Sequence, residues 1–223
     1  MLHLQKLRSS LNGPATRQIP AFWRGLNNAT DHSSDQNDDQ ATPPADFPDL
    51  INSTLRVDLL AQQVATALAS GRAIAGRHRP DLQALREGES EQLHTIKAAV
   101  PHYGVRPSLL GPLAAVAFGA VGVASALAPP RLSAAVAAGI QDALTDTFNE
   151  QLRTLRESGA AESCGDIRKL VRDLRDFERA PEGAPQVPDI LKLQRPQELT
   201  PAEGVAAVVK AGTRLLLNAA KTV

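Results

Sequence analysis

Between Ser108 and Pro130 the chain reads SLLGPLAAVAFGAVGVASALAPP, without one charged side chain. Such a stretch must lie inside a core, across a bilayer or along a bilayer surface, and the rest of the fold has to accommodate it. It is long enough to span a membrane, which takes roughly 20 apolar residues. Pro112 and the abundance of alanine make it only mildly hydrophobic, so the expectation is a buried or membrane-surface helix. Gly111, Ala115, Gly119, Ala120 and Gly122 would let another helix approach closely, either within the bundle or from a partner.

The remainder also points to helices. Ala and Leu dominate and aromatic residues make up only 3% of the chain, whereas sheets favour β-branched and aromatic side chains. Apolar spacing predicts a helix over 49–75, with Leu55, Leu59, Val64 and Leu68 among its core positions. A second follows Pro80 and runs to Pro101, and PHYGVRP is a loop by its Pro and Gly content. Further helices are expected over 131–156 and 164–179, the latter stopped by Pro181. A last one begins after Thr200 and Pro201, a cap followed by a first-turn proline. No segment alternates convincingly as a strand. The expected fold class is all-α: an up-and-down four-helix bundle with additional apolar membrane-surface helices.

Lys plus Arg and Asp plus Glu number 24 each, so nothing in the net charge draws the chain toward nucleic acid. The charge is unevenly placed, however. Residues 1–30 carry Lys6, Arg8, Arg17 and Arg24 but no acid, and MLHLQKLRSSL can form an amphipathic helix. That is the pattern of a mitochondrial transit peptide. Residues 31–48 are acidic, polar and Pro-containing, the composition of a disordered linker, and a helical domain is expected over 49–223. The single cysteine, Cys164, excludes an internal disulfide and reads as a polar loop residue. Lys210 and Arg214, four apart on the last helix, suit a solvent face or contact with anionic lipid.

LRVD (55–58), VRPSLLGPL (105–113), FNEQLRTL (148–155) and KAGTRL (210–215) stand in an order and spacing that resemble the demethoxyubiquinone hydroxylases. These are ferritin-like di-iron carboxylate enzymes of ubiquinone biosynthesis. The resemblance covers roughly residues 50–223. It implies a ferritin-like bundle, a polyprenylated quinone substrate, and two irons held by four glutamates and two histidines. A Glu-x-x-His pair puts two ligands one turn apart on one helical face, and carboxylates neutralise and bridge the cations.

Carried over position by position, that ligand set is largely missing. Glu89 and Glu178 are retained ligand positions; the other four fall on Gln62, Gln92, Gln141 and Pro181. An amide is neutral and a poor ligand for a dication, and proline has no side-chain donor. Asp58, one turn before Gln62 and on its face, is the best stand-in; Glu91 and His94 point away from the Glu89 face. The expectation is a metal-free core in which Gln62, Gln92 and Gln141 hydrogen-bond Glu89 and Glu178 where iron would have been. Two irons would be the cofactor if the family chemistry survived through a rearranged site.

The functional expectation is a peripheral protein on the matrix side of the mitochondrial inner membrane. It would bind a polyprenylated quinone intermediate or lipid, and serve as a scaffold for other ubiquinone-biosynthesis proteins or as a homo-oligomer, with no nucleic-acid partner. Leu109, Leu110, Leu113, Phe118 and Val121 are the expected membrane or quinone contacts. An active hydroxylase and a membrane helical hairpin of unrelated role are the alternatives.

Overall fold

The computed structural model describes residues 47–160, 164–178, 187–189 and 199–222, which all belong to one compact unit, Gln40–Val223. The leader, most of the linker and Pro181 lie outside the described residues. Among the described residues six α-helices follow one another: α1 Pro48–Ala75, α2 Pro80–Ala99, α3 Gly111–Leu127, α4 Pro130–Glu157, α5 Gly165–Glu178 and α6 Pro201–Ala219. A 3-10 turn, Val100–Tyr103, extends α2 into the loop that PHYGVRP announced. No strand occurs among the described residues.

Proline sets most of the starts. Pro48, Pro80, Pro130 and Pro201 each open a helix, where the missing N–H costs nothing and the fixed φ is already helical. The linker therefore yields its last residue to α1. At α6 a full capping box forms: the Glu203 N–H donates to Thr200 Oγ1 at 3.3 Å, and the Thr200 N–H donates to the Glu203 carboxylate at 2.8 Å. Gly104, with φ +63°, supplies the left-handed residue that ends the 3-10 turn.

The helices alternate up and down. Gln83 Nε2 donates to the Ala73 carbonyl at 3.1 Å and Thr66 Oγ1 to the Glu89 carbonyl at 3.1 Å, which sets α2 antiparallel to α1. Gly111 lies against Gln63, and Gly122 against Leu68 and Arg72, so α3 runs parallel to α1. Arg72 Nη2 donates to Ser133 Oγ at 3.4 Å and Gln151 Nε2 to the Thr54 carbonyl at 3.3 Å, which reverses α4 relative to α1. On the far side α5 and α6 pack against α4. The core is aliphatic, with Ile51, Leu55, Leu60, Leu144 and Leu174 fully buried around Phe148, the one deeply buried aromatic ring among the described residues.

The α1–α3 contact answers the question posed by the charge-free stretch. A Cβ on Gly122 would collide with the Leu68 carbonyl, and one on Gly71 with the Gly119 carbonyl. The glycines are thus used inside the chain, to bring two backbones together. No helix of the described residues is long and apolar enough to cross a membrane. The outward face of α3 is still apolar: Leu109, Leu113, Val116 and Leu127 are 82%, 68%, 74% and 75% exposed, and Val121 is exposed as well. Leu110 and Phe118 are half-buried, part of their surface being covered by the bundle.

Two surface readings are corrected. Lys210 is buried, with Nζ 2.5 Å from Asp142 Oδ2 and 2.9 Å from Asp146 Oδ2, while Arg214 lies 3.6 Å from Asp146. These cations tie α6 to α4, because two acids one turn apart on α4 face them, and the buried Lys210 is not placed to meet lipid. Cys164 is buried at the entry to α5 rather than solvated in a loop, as a small apolar side chain would be.

Glycine substitutions test this packing. Gly122→Val should destabilise the fold by about 1–3 kcal/mol or more through overpacking. Gly212→Ala, on α6 with nothing within 4 Å of the new Cβ, should stabilise it by roughly 0.5–1 kcal/mol. Thermal denaturation followed by circular dichroism reads both; equal effects at the two sites would contradict the α1–α3 contact.

Candidate functional site

Helix α1 carries three polar residues four apart, Thr54, Asp58 and Gln62, and all three are buried. Spacing of four puts them on one stripe, directed into the bundle rather than out of it. Asp58 is fully enclosed, and neither carboxyl oxygen has a hydrogen-bond partner. Burial pushes its pKa up to about 8, against the pull of the Gln151 amide, which lies near Asp58 without meeting hydrogen-bond geometry. At neutral pH Asp58 is therefore mainly the uncharged acid.

Amides surround it. Gln62 Nε2 donates to Glu178 Oε1 at 3.4 Å, and the Gln62 amide oxygen has no partner. Gln151, on α4, gives Nε2 to the Thr54 carbonyl and likewise leaves its amide oxygen without a donor. A protonated Asp58 supplies one O–H among acceptors that lack one. Buried acceptors left unmatched cost about 1–3 kcal/mol each, which favours holding that proton.

Glu89 and Glu178 come from α2 and from the last residue of α5, and both are buried. Their neighbours touch: a Cβ on Gly88 would lie 3.5 Å from Phe177 Cζ. Two helices distant in sequence thus bring their glutamate-bearing segments together. Of the three glutamines expected to serve them, Gln62 is fully buried and bonds Glu178. Gln92 and Gln141 are only half-buried, less enclosed than Gln62. Thr147 and Phe148 are buried; the Thr147 hydroxyl turns back on its own helix to the Ala143 carbonyl at 2.8 Å. Glu91 and His94 are exposed, as their angular offset from Glu89 requires.

Gln151 is the residue that sequence reasoning missed. Within FNEQLRTL it is Gln151, not its polar neighbours Asn149 and Arg153, that reaches across the bundle. Asn149 is exposed, and Arg153 pairs at 2.7 Å with Glu157 on its own helix. The signal was present in the periodicity: Gln151 lies seven residues after Leu144 and four before Leu155, on the buried stripe of α4.

The family model described as "Ubiquinone biosynthesis protein COQ7" matches residues 49–219. The chain belongs to that family. Among relatives of this COQ7-family chain, a human protein named "NADPH-dependent 3-demethoxyubiquinone 3-hydroxylase, mitochondrial" is 26% identical over 171 residues, covering 75% of each chain. Proteins of the same name from Dictyostelium discoideum and Rattus norvegicus are 24% and 27% identical over 132 and 131 residues, covering 58% and 57% of this chain. In each of these two cases the match spans 60% of the relative's own length.

The resemblance attaches two irons to this fold, and the donors among the described residues do not fit them. Two ferrous ions bring four positive charges into a buried space, against Glu89, Glu178 and an Asp58 that is mainly neutral. The Gln62 amide nitrogen, a donor, faces Glu178 Oε1 from a position where the resemblance implies a carboxylate. Among the described residues no group of three or more His, Cys, Asp or Glu is placed to hold a metal ion. We therefore derive no chemical step through iron for this COQ7-family chain.

The neutral acid makes stability depend on pH in a defined direction. Because the folded pKa of about 8 lies above the unfolded value, the Asp58 contribution is best below about pH 4. It declines as pH rises toward 8, by at most about 1.4 kcal/mol per unit. Asp58→Asn should remove that dependence: variant and wild type melt alike near pH 4, and the variant gains on the order of 10 °C by pH 8. A constant difference between them across that range would show that Asp58 does not titrate with folding.

Proposed function

We propose that this COQ7-family chain acts in ubiquinone biosynthesis without di-iron chemistry, as a binding or scaffolding protein on the matrix side of the mitochondrial inner membrane. Its cargo is a polyprenylated quinone intermediate or lipid, taken along the apolar outer face of α3, where Leu109, Leu113 and Val121 are exposed. The basic, acid-free leader over 1–30 is read as the transit peptide that takes it there, and the mitochondrial names of its relatives agree with that destination. Other ubiquinone-biosynthesis proteins, or a second copy of the chain, are the partners the role implies.

The observation that carries this reading is the bond from Gln62 Nε2 to Glu178. In the di-iron arrangement that the resemblance implies, both positions would be carboxylate ligands. Here an amide satisfies the remaining carboxylate directly, as a buried acceptor requires. What persists without iron is the apolar exterior and the helix pairing, both of which depend on packing rather than on ligand chemistry.

One observation favours an active hydroxylase with a rearranged site: Asp58 is a buried carboxyl without a hydrogen-bond partner, one turn from Gln62. It adds a third carboxyl but no imidazole, so the metal-free reading is preferred.

Iron content separates the two. Full-length protein reconstituted anaerobically with ferrous iron and desalted should retain close to none by elemental analysis, and should show no NADPH-dependent hydroxylation of a demethoxyubiquinone analogue. Two irons per chain with turnover would overturn the proposal.

A further inference from the structure

At the end of the bundle where α1 finishes, α2 and α4 begin and α3 ends, basic side chains gather. Arg72 is half-buried there; its Nη2 reaches Ser133 near the start of α4, and its Nε is enclosed without a partner. Burial, reinforced by the nearby Arg79, holds the Arg72 pKa below its ordinary value, so these charges stand close together. Arg77, His78, Arg79 and Arg131 are all exposed at the same end. The acid among them, Asp81, is engaged 2.7 Å from Arg79. Arg77 and Arg131 have no acidic partner among the described residues. At the opposite end of α3 stands Arg106, also exposed.

Between these ends nothing is charged: from Pro107 to Pro130 the chain has no ionisable side chain. The exposed apolar row of α3 ends at Leu127, and Ile74, 57% exposed, adds to it beside Arg77. An apolar face framed by unpaired arginines is complementary to a surface that offers hydrocarbon in the middle and anions at its rim. The helix is not able to span a bilayer, which leaves it to lie along one. A second copy of the chain would bring its own arginines against these, so charge complementarity selects a lipid surface.

We infer that α3 docks on a bilayer containing anionic lipid, with Arg77 and Arg131 meeting headgroup phosphates at one end of the apolar row and Arg106 at the other. This rests on the membrane-surface reading of α3 and adds the lipid class and the residues that select it. Arg72, tied to Ser133, braces the arginine end from behind. The assignment replaces the one expected for Lys210 and Arg214, which are occupied by acids of α4.

Flotation of the full chain with vesicles tests it. Wild type should bind vesicles of phosphatidylcholine with a third phosphatidylglycerol, bind pure phosphatidylcholine far more weakly, and lose the difference as salt is raised. Arg77→Gln with Arg131→Gln should lower partition to the anionic vesicles roughly 25-fold, about fivefold for each arginine. Arg168→Gln with Arg172→Gln on α5, an equal change in net charge at exposed positions, should leave it nearly unchanged and controls for the basic leader. Circular dichroism checks that each variant is folded. If both double variants fall alike, or neither does, the assignment of headgroup contacts is overturned. Equal binding of wild type to both vesicle types also overturns it while leaving the membrane-surface reading intact. If wild type binds neither, or if Leu113→Glu has no effect on binding, that underlying reading fails as well.

Discussion

Helix α1 is packed against α2, α3, α4 and α6 at once. A helix enclosed on so many sides has little polar face to give to water, so the buried polar residues it carries depend on the bundle interior. Thr54, Asp58 and Gln62 are therefore not surface decoration. Gln62 finds Glu178 on α5, the Thr54 carbonyl finds Gln151 on α4, and Asp58 is driven toward its neutral form. The polar character of the bundle centre follows from this enclosure. It also explains why losing charge at ligand positions is compatible with a folded chain: amides and a protonated acid are less costly to bury than unpaired carboxylates.

The enclosure itself depends on small residues. With Gly71 facing Gly119 and Gly122 facing Leu68, the backbones of α1 and α3 meet without side chains between them. Gly139 does the same for α4 against the Ala206 carbonyl. Two close helix pairs result, and the larger side chains fill the space between the pairs. Because α3 gives its small residues to α1, its larger ones, Leu109, Leu113, Val116 and Leu127, are left outside. Tight packing on one face thus produces the apolar exterior on the other, which joins the fold to the proposed membrane role.

Electrostatics work differently on the two sides of the bundle. On α4 and α6, Lys210 sits between Asp142 and Asp146, and the cluster is internally neutralised. At the α1–α2 turn the arginines outnumber their acids. Net charge over the whole chain is zero, so neither feature is visible in composition.

The sequence by itself determined the helices, their order and their limits. These depend on local chemistry: prolines at first turns, Thr200 and Glu203 as a cap, a 3.6-residue apolar period and the absence of alternation. It also determined which residue types occupy the positions that the family resemblance assigns to iron. Which of those residues meet was decided only by tertiary structure. The pairing of Gln62 with Glu178 joins positions 116 residues apart, and no local pattern reports on it. The burial of Lys210, the half-exposure of Gln92 and Gln141, and the reach of Gln151 to α1 are of the same kind. Each depends on the rotation of one helix against another, and that rotation is set by the summed packing of whole faces rather than by any residue's own preference.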